Sequence, residues 1–223
     1  MVARALHWVI RTLVNLLVRL RCEGFEHLPP SGPYIIVANH LAFWDAPIIY
    51  ALVGGPQLSG WAAEKYRRDP IWGTILRMGS GIFIERGAVD RDALAGAVAW
   101  LRQGKVFGLA PEGTRTKTGG LARGKSGVAY IAQQSGAPIV PMAHFGTERV
   151  TRTWLRLRRP VVTVRLGRPF TLPPLAAGER SAGLREQADV VMCHIAALLP
   201  AEYRGLYADH PELKRLLMEA LPA

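Results

Sequence analysis

The stretch Tyr34-Ile35-Ile36-Val37-Ala38-Asn39-His40-Leu41-Ala42-Phe43-Trp44-Asp45 decides how the rest of the chain is read. An apolar run of strand length, Tyr34–Ala38, leads into Asn39 and His40, with an aspartate five residues after the histidine and Pro47 just beyond. That order describes a strand, a short connection and a helix whose first turn holds the aspartate. Working outward, further strand-like runs lie at Gly81–Glu85, Lys105–Ala110, Pro138–His144 and Val161–Leu166. Helical patterns lie between and after them, at Ala46–Val53, Ile71–Met78, Arg91–Gln103, Ser126–Gln134, Ser181–Leu199 and Pro211–Leu221. Strands separated by helices imply an α/β fold with a mixed, largely parallel sheet flanked by helices. Ligands of such sheets collect beyond the carboxyl ends of the strands, so the residues just after each run carry the chemistry.

At 223 residues the chain has room for one well-cored domain, or a domain with a small appendage. Its 49% apolar and 20% charged residues exclude disorder, and it contains no repeat or low-complexity run. Lys plus Arg (28) outnumber Asp plus Glu (17), giving a net charge of +11. A surface of that sign attracts phosphates on nucleic acid, on anionic lipid or on a small substrate, and composition does not choose among them. Cys22 and Cys193 stand far apart, which excludes a disulfide framework and fits a reducing cytosolic setting. No HExxH or Cys/His cluster is present, so no metal is expected.

Residues 1–22 read as one amphipathic helix. Arg4, His7, Arg11, Asn15 and Arg19 recur at three- or four-residue intervals, so the polar groups form one stripe and Leu, Val, Ile, Ala and Trp8 cover the rest. A wide apolar sector with only positive charges describes a helix lying in a membrane interface, its arginines at phosphate level. The plainer alternative is a helix packed on the domain. No segment reads as a single bilayer-spanning helix, so the expected location is the cytoplasmic face of the cell membrane, peripheral or monotopic. Residues 34–223 form the globular domain.

Three strand ends are chemically loaded. In the first, Asp45 can fold back from the loop-to-helix junction onto the His40 imidazole, fix its tautomer and stabilise the imidazolium. With an ordinary pKa of about 6.5, histidine is the natural general base at neutral pH. An aspartate that caps its helix and a histidine satisfied in the core would give the same letters. The second end, Gly81-Ile82-Phe83-Ile84-Glu85-Arg86, closes on a charged pair. The third, Pro111-Glu112-Gly113-Thr114-Arg115, runs into a basic loop with Lys117, Gly119, Gly120, Arg123, Gly124, Lys125 and Gly127. Arg86, Arg115 and Lys125 could converge on one phosphate, with N–H groups added by the helix that starts near Ser126. Glycines let the backbone approach such a ligand closely, and a solvated surface loop is the alternative.

These blocks, in this order, resemble the glycerolipid (PlsC-like) acyltransferase family, whose bacterial type enzyme is 1-acyl-sn-glycerol-3-phosphate acyltransferase. His40 and Asp45 match its H-x4-D block, Gly81–Arg86 its G-x-x-F-I-D-R block with Glu85 for Asp, Glu112–Arg115 its E-G-T-R block, and Val140-Pro141-Met142 its final V-P-V block. Ala63-Glu64-Lys65-Tyr66 resembles a weakened A-K-x-E-L segment, and Ala42 and Ser126 depart from common family residues. The resemblance covers about residues 34 to 144.

The resemblance implies transfer of a fatty acyl group from acyl-CoA or acyl carrier protein (acyl-ACP) to the free hydroxyl of a lysophospholipid. The leading acceptor is 1-acyl-sn-glycerol 3-phosphate, giving phosphatidic acid; another lysolipid, an acyl-amino acid or a glycolipid is the alternative within the family. His40 and Asp45 are the implied catalytic pair, and Arg86, Glu112, Gly113, Thr114, Arg115 and Lys125 the implied phosphate site. No cofactor is expected beyond the thioester co-substrate. An acyl-enzyme is not expected either, since neither cysteine lies in a block and no Gly-x-Ser-x-Gly elbow is present. Backbone amides near Gly113 are the nearest guess for oxyanion donors.

Arg149, Arg152, Arg156, Arg158, Arg159, Arg165 and Arg168 cluster around Trp154 and Leu155, with no acidic residue between Arg149 and Arg168. They read as a docking surface for anionic headgroups, or as a charged hairpin or edge strand that blunts self-association. The same charge would suit a nucleic-acid-binding protein, the reading from a different class. That reading gives His40, Asp45 and the ordered blocks no role and finds no helix-turn-helix, zinc-finger or RNP pattern, so no nucleic-acid partner is expected.

Overall fold

A strand that is apolar on both sides needs cover on both faces, and the architecture supplies it. The computed structural model describes residues 2–53, 57–85, 90–175 and 180–219. In chain order the elements are α1 (Val2–Leu17), β1 (Arg19–Glu23), β2 (Tyr34–Ala38), α2 (Asp45–Val53), β3 (Leu58–Ala63), α3 (Trp72–Met78), β4 (Ile82–Ile84), α4 (Arg91–Arg102), β5 (Val106–Leu109), α5 (Gly127–Ser135), β6 (Ile139–Phe145), α6 (Val150–Trp154), β7 (Val161–Leu166), α7 (Arg180–Leu198) and α8 (Pro211–Glu219). The strands form a seven-stranded sheet in the order β1-β7-β6-β2-β5-β3-β4. From β4 to β6 all neighbours are parallel; β7 is antiparallel to β6, and β1 runs with β7. This is the mixed, largely parallel sheet that the alternation of runs implied.

β2 is buried along its whole length and divides its side chains by parity. Tyr34, Ile36 and Ala38 enter a core closed by Val14 of α1, Ile48 and Ala51 of α2 and Val150 of α6. Ile35 and Val37 enter the opposite core, closed by Leu101 of α4, Ile131 of α5, Met192 of α7 and Leu213 of α8. Each such aliphatic side chain, fully buried, contributes about 1.5–3 kcal/mol relative to exposure. Two helical layers therefore clamp β2 in the middle of the sheet.

The topology points to one edge of that sheet. From β2 the chain leaves toward β3, whereas from β5, next to β2, it crosses to β6 on the other side. The departures diverge at the carboxyl ends of β2 and β5, where open α/β sheets form their ligand crevice.

Four elements differ from the sequence reading: α1 is shorter, and β1, β3 and α6 have no counterpart in it. The N-terminal helix ends at Leu17 instead of reaching residue 22, and Arg19–Glu23 forms an edge strand on β7, with Arg19 level with Val161. Val18, Leu20 and Cys22 alternate with Arg19 and Arg21 at the period of a strand, a pattern masked by the helical spacing of the arginines before it. The strand β3 has no counterpart in the sequence reading because Ser59 and Gly60 interrupt its apolar run. Gly60 is required there, since a Cβ would fall 2.7 Å from the Gly108 carbonyl oxygen on β5. The Arg149–Arg168 segment is neither hairpin nor edge: it holds α6 and a turn, then enters β7, which is paired on both sides.

Candidate active site

Val37 of β2 lies level with Leu109 of β5, so the loops that follow these strands emerge side by side. Their backbones are tied together around His40. Its N–H donates to Oε1 of Glu112 at 2.9 Å, and its carbonyl accepts the N–H of Thr116 at 2.9 Å. On the other flank, the Asn39 side chain donates to the His144 carbonyl at 2.8 Å and accepts the His144 N–H at 2.9 Å. Asn39 thereby prolongs the β2–β6 pairing past the last residue of β2.

With its main chain held from both sides, His40 takes its ring orientation from Asp45. Nδ1 lies 2.7 Å from Oδ2 of Asp45, and the same oxygen accepts the N–H groups of Leu41 at 2.7 Å and Ala42 at 2.8 Å. Asp45 is the first residue of α2, so one carboxylate both closes the loop and aims the imidazole. Nδ1–H pointing at a carboxylate leaves Nε2 as a proton acceptor. The His40 side chain is 21% exposed and that of Asp45 only 2%. Among the described residues, Nε2 of His40 has no hydrogen-bond partner. Burial alone would push the Asp45 carboxyl up, but the charge and contact of His144, with His40 and Thr147 beside it, hold it well below the usual carboxylate range.

Glu112 is buried, with Oε1 on His40 N–H and Oε2 on Ala122 N–H, each at 2.9 Å. Burial pushes its carboxyl up, offset in part by those two N–H groups. This placement makes it a brace between the ends of the third block's loop and His40. Thr114 and Arg115 project from the same loop and are exposed. Lys125 is anchored by its N–H to the Pro111 carbonyl at 2.8 Å, and its side chain crosses Gly113, where a Cβ would come within 2.9 Å of Nζ. Gly113 also has φ of +70°, a backbone state that favours glycine. Its N–H is taken by Ala110 at 3.0 Å, so that amide is not an open oxyanion donor. Arg86 lies outside the described residues. The strand before it is tethered by Asp90, which accepts Glu85 N–H at 3.0 Å and caps α4 through Ala93 N–H at 2.9 Å.

The glycines of the basic loop serve close packing. A Cβ on Gly120 would lie 2.8 Å from Cα of Gly205, and one on Gly124 2.6 Å from Cγ of Met192 on α7. Asn39, Thr116, His144 and Thr147 escaped sequence reasoning. His144 closes an apolar strand run, and only its position at a strand end next to the V-P-M block could have signalled it.

Beside the His40 loop stands an aromatic cluster. Trp44 packs edge-on to Trp154 (centroids 4.5 Å apart) and Phe43 to Trp72 (4.9 Å). Trp44 Nε1–H donates to Thr151 at 2.9 Å, and Trp154 Nε1–H to the Leu17 carbonyl of α1 at 3.0 Å. The cluster thus links the loop to α1, α3 and α6.

A strand-end His–Asp pair braced by a buried glutamate, at the switch point of an α/β sheet, now meets its relatives. The Acyltransferase family model matches residues 19–144. A 1-acyl-sn-glycerol-3-phosphate acyltransferase of Borreliella burgdorferi is 28% identical over 132 residues, covering 58% of this chain and 52% of that protein. An N-acylphosphatidylethanolamine synthase of Arabidopsis thaliana is 32% identical over 164 residues, covering 68% and 55%. The crystal structure of the 1-acyl-sn-glycerophosphate (LPA) acyltransferase PlsC from Thermotoga maritima superposes with a TM-score of 0.66 at 25% identity, covering 85% of this chain and 76% of that one. The chain belongs to the acyltransferase family, and its sheet and flanking helices follow the PlsC architecture. It spans about half the length of the curated relatives it matches.

Proposed function

We propose that the protein transfers an acyl group from acyl-CoA or acyl-ACP to the free hydroxyl of a lysophospholipid, with 1-acyl-sn-glycerol 3-phosphate as the acceptor and phosphatidic acid as the product. The observation that carries the reading is the His40 ring: fixed through Nδ1 on Asp45, partly exposed, with Nε2 left to take a proton. Nε2 removes the hydroxyl proton as the oxygen attacks the thioester carbon. The tetrahedral intermediate then collapses, the C–S bond breaks, and the thiolate recovers the proton from the imidazolium. A thioester is already activated, so a base, positioning and oxyanion stabilisation suffice. Arg115 and Lys125, joined by Arg86, bind the acceptor phosphate, and Glu112 holds their loop against His40.

The surface around the aromatic cluster supports docking on an anionic membrane. α1 packs on α2 through Ala3, His7, Ile10 and Val14, which leaves Trp8 69% and Leu16 67% exposed. Leu155 and Leu157, 81% and 99% exposed, stand between Arg152, Arg156 and Arg158 at the turn after α6. Apolar side chains ringed by arginines fit a headgroup layer, with Trp154 at interfacial depth. Arg159 and Arg165 have other work: Arg159 binds the carbonyls of Asn15 and Val18, and Arg165 binds Glu23. No described helix is long and apolar enough to cross a bilayer, which accords with a peripheral or monotopic placement; the cytoplasmic face is part of the proposal.

The likeness to the Arabidopsis protein, which covers more of this chain than the Borreliella match, favours a second reading in which the same base serves another lipid acceptor. A purified assay of labelled acyl-CoA and acyl-ACP against lysophosphatidate, other lysophospholipids, phosphatidylethanolamine, acyl-amino acids and glycolipids tests both. Turnover on lysophosphatidate supports the first; turnover only on another acceptor replaces it with the second; none on any sinks both.

A further inference from the structure

His144, at the carboxyl end of β6, is fully buried, and its Nε2 lies 3.1 Å from Oδ1 of Asp45, the carboxylate oxygen that His40 does not use. Its backbone is locked by both hydrogen bonds of Asn39, so the ring cannot withdraw along the strand. Apart from that 3.1 Å approach to Oδ1, which is not aligned as a full hydrogen bond, neither ring nitrogen has a polar partner among the described residues, and the buried Thr147 hydroxyl has none either. A buried imidazole is expected to find partners, and the one charged group at hand is Asp45.

We infer that His144 is a positioning residue that acts on His40 through Asp45, an inference that rests on the reading of His40 as base. A neutral imidazole carries one N–H. Placed on Nε2, it faces the carboxylate across 3.1 Å; placed on Nδ1, it leaves two sets of lone pairs opposed and a buried donor orphaned. Neutral or protonated, the ring therefore presents Nε2–H to the carboxylate. With Oδ1 given a donor, the carboxylate cannot swing, and Oδ2 stays aimed at His40 and at the amides of Leu41 and Ala42. An outer partner that orients the group which orients the base has the logic of a second tier of ligands. The titratable groups around His144 are Asp45, His40 and, through its charge, Glu112. Removing the donor makes Asp45 a stronger acceptor for the His40 proton, which favours the imidazolium and delays its deprotonation as pH rises.

The test compares His144→Phe, which fills the space without a donor, with His144→Gln, whose amide can donate to Oδ1. His144→Phe should lower kcat by about tenfold or more with KM little changed, and move the acid limb of the kcat/KM profile upward by about half a pH unit or more. His144→Gln should restore most of both. A folded His144→Phe protein with unaltered kcat and pH profile overturns the inference, as does a loss of kcat that leaves the acid limb in place and is not rescued by Gln. Proton NMR of the unliganded protein adds a readout that needs no turnover: a hydrogen-bonded His144 ring N–H signal, absent from His144→Phe. Its absence from the wild type overturns the pairing even in an active enzyme; its presence without acyl transfer supports the pairing and overturns the proposed function instead.

Discussion

The main-chain N–H of His40 and the carboxylate of Glu112 are 2.9 Å apart, and the second oxygen of that carboxylate takes the N–H of Ala122. An ionised carboxylate offers an acceptor on each oxygen; glutamine offers only one and turns a donor against the other amide. Glu112→Gln should therefore destabilise the protein by about 1–3 kcal/mol in urea unfolding and lower kcat, with the acceptor KM nearly unchanged. A variant of normal stability whose acceptor KM alone rises would make Glu112 a phosphate ligand instead of a brace.

The two carboxylates flanking His40 should pull stability in opposite directions with pH. Glu112 is raised above its ordinary 4.5 in the folded chain, so above that value the folded state binds its proton more readily, and stability grows as pH falls through this window. Asp45 is held below its ordinary 3.8, so the stability it gives above that value is lost as pH drops further. Urea unfolding across the acid range should show Asp45→Asn abolishing the loss below about pH 4 and Glu112→Gln abolishing the gain above it. Matching slopes in variants and wild type would contradict this.

Replacing His40 by alanine should cost roughly 10²–10⁴-fold in kcat. The ring is partly exposed and pairs only with Asp45 among the described residues, so the fold should persist by circular dichroism. Near-normal turnover would remove His40 as base.

Arg115→Ala should raise KM for a phosphate-bearing acceptor while kcat on saturating acceptor stays close to wild type. Arg115 is exposed on the loop whose next residue, Thr116, bonds the His40 carbonyl, so lost charge should weaken binding without moving the base. An unaltered KM would take Arg115 out of the phosphate site.

Leu157 sits at the tip of an exposed turn with φ of +55°, a left-handed state that costs a leucine about 1–2 kcal/mol. Asparagine tolerates that state better. The double variant Leu155→Asn, Leu157→Asn should keep or gain thermal stability yet lose flotation with anionic vesicles. Equal flotation of variant and wild type, or equal wild-type binding to neutral vesicles, would refute a docking role for this turn.

Apolar runs made most of the sheet legible: Tyr34–Ala38 and Val161–Leu166 are strands with the bounds the sequence suggests. β1 and β3 were not legible, because arginines and Ser59-Gly60 broke their patterns and only pairing with neighbours makes them strands. In the site, the His40–Asp45 contact follows from spacing and a loop-to-helix junction. The bonds of Asn39, Glu112 and Thr116 to backbone groups do not, since any residue supplies those groups and only the register of β2, β5 and β6 brings them together.

The single residue Val18 separates α1 from β1. Trimming the chain just before it and trimming it after Glu23 are thus different operations. The first strips off a greasy rod; the second also bares the flank of β7 and creates a sticky rim able to zip onto a neighbouring molecule. If the rod docks at a bilayer as proposed, any load it bears passes straight into the sheet that carries His40, since one residue leaves no slack between them.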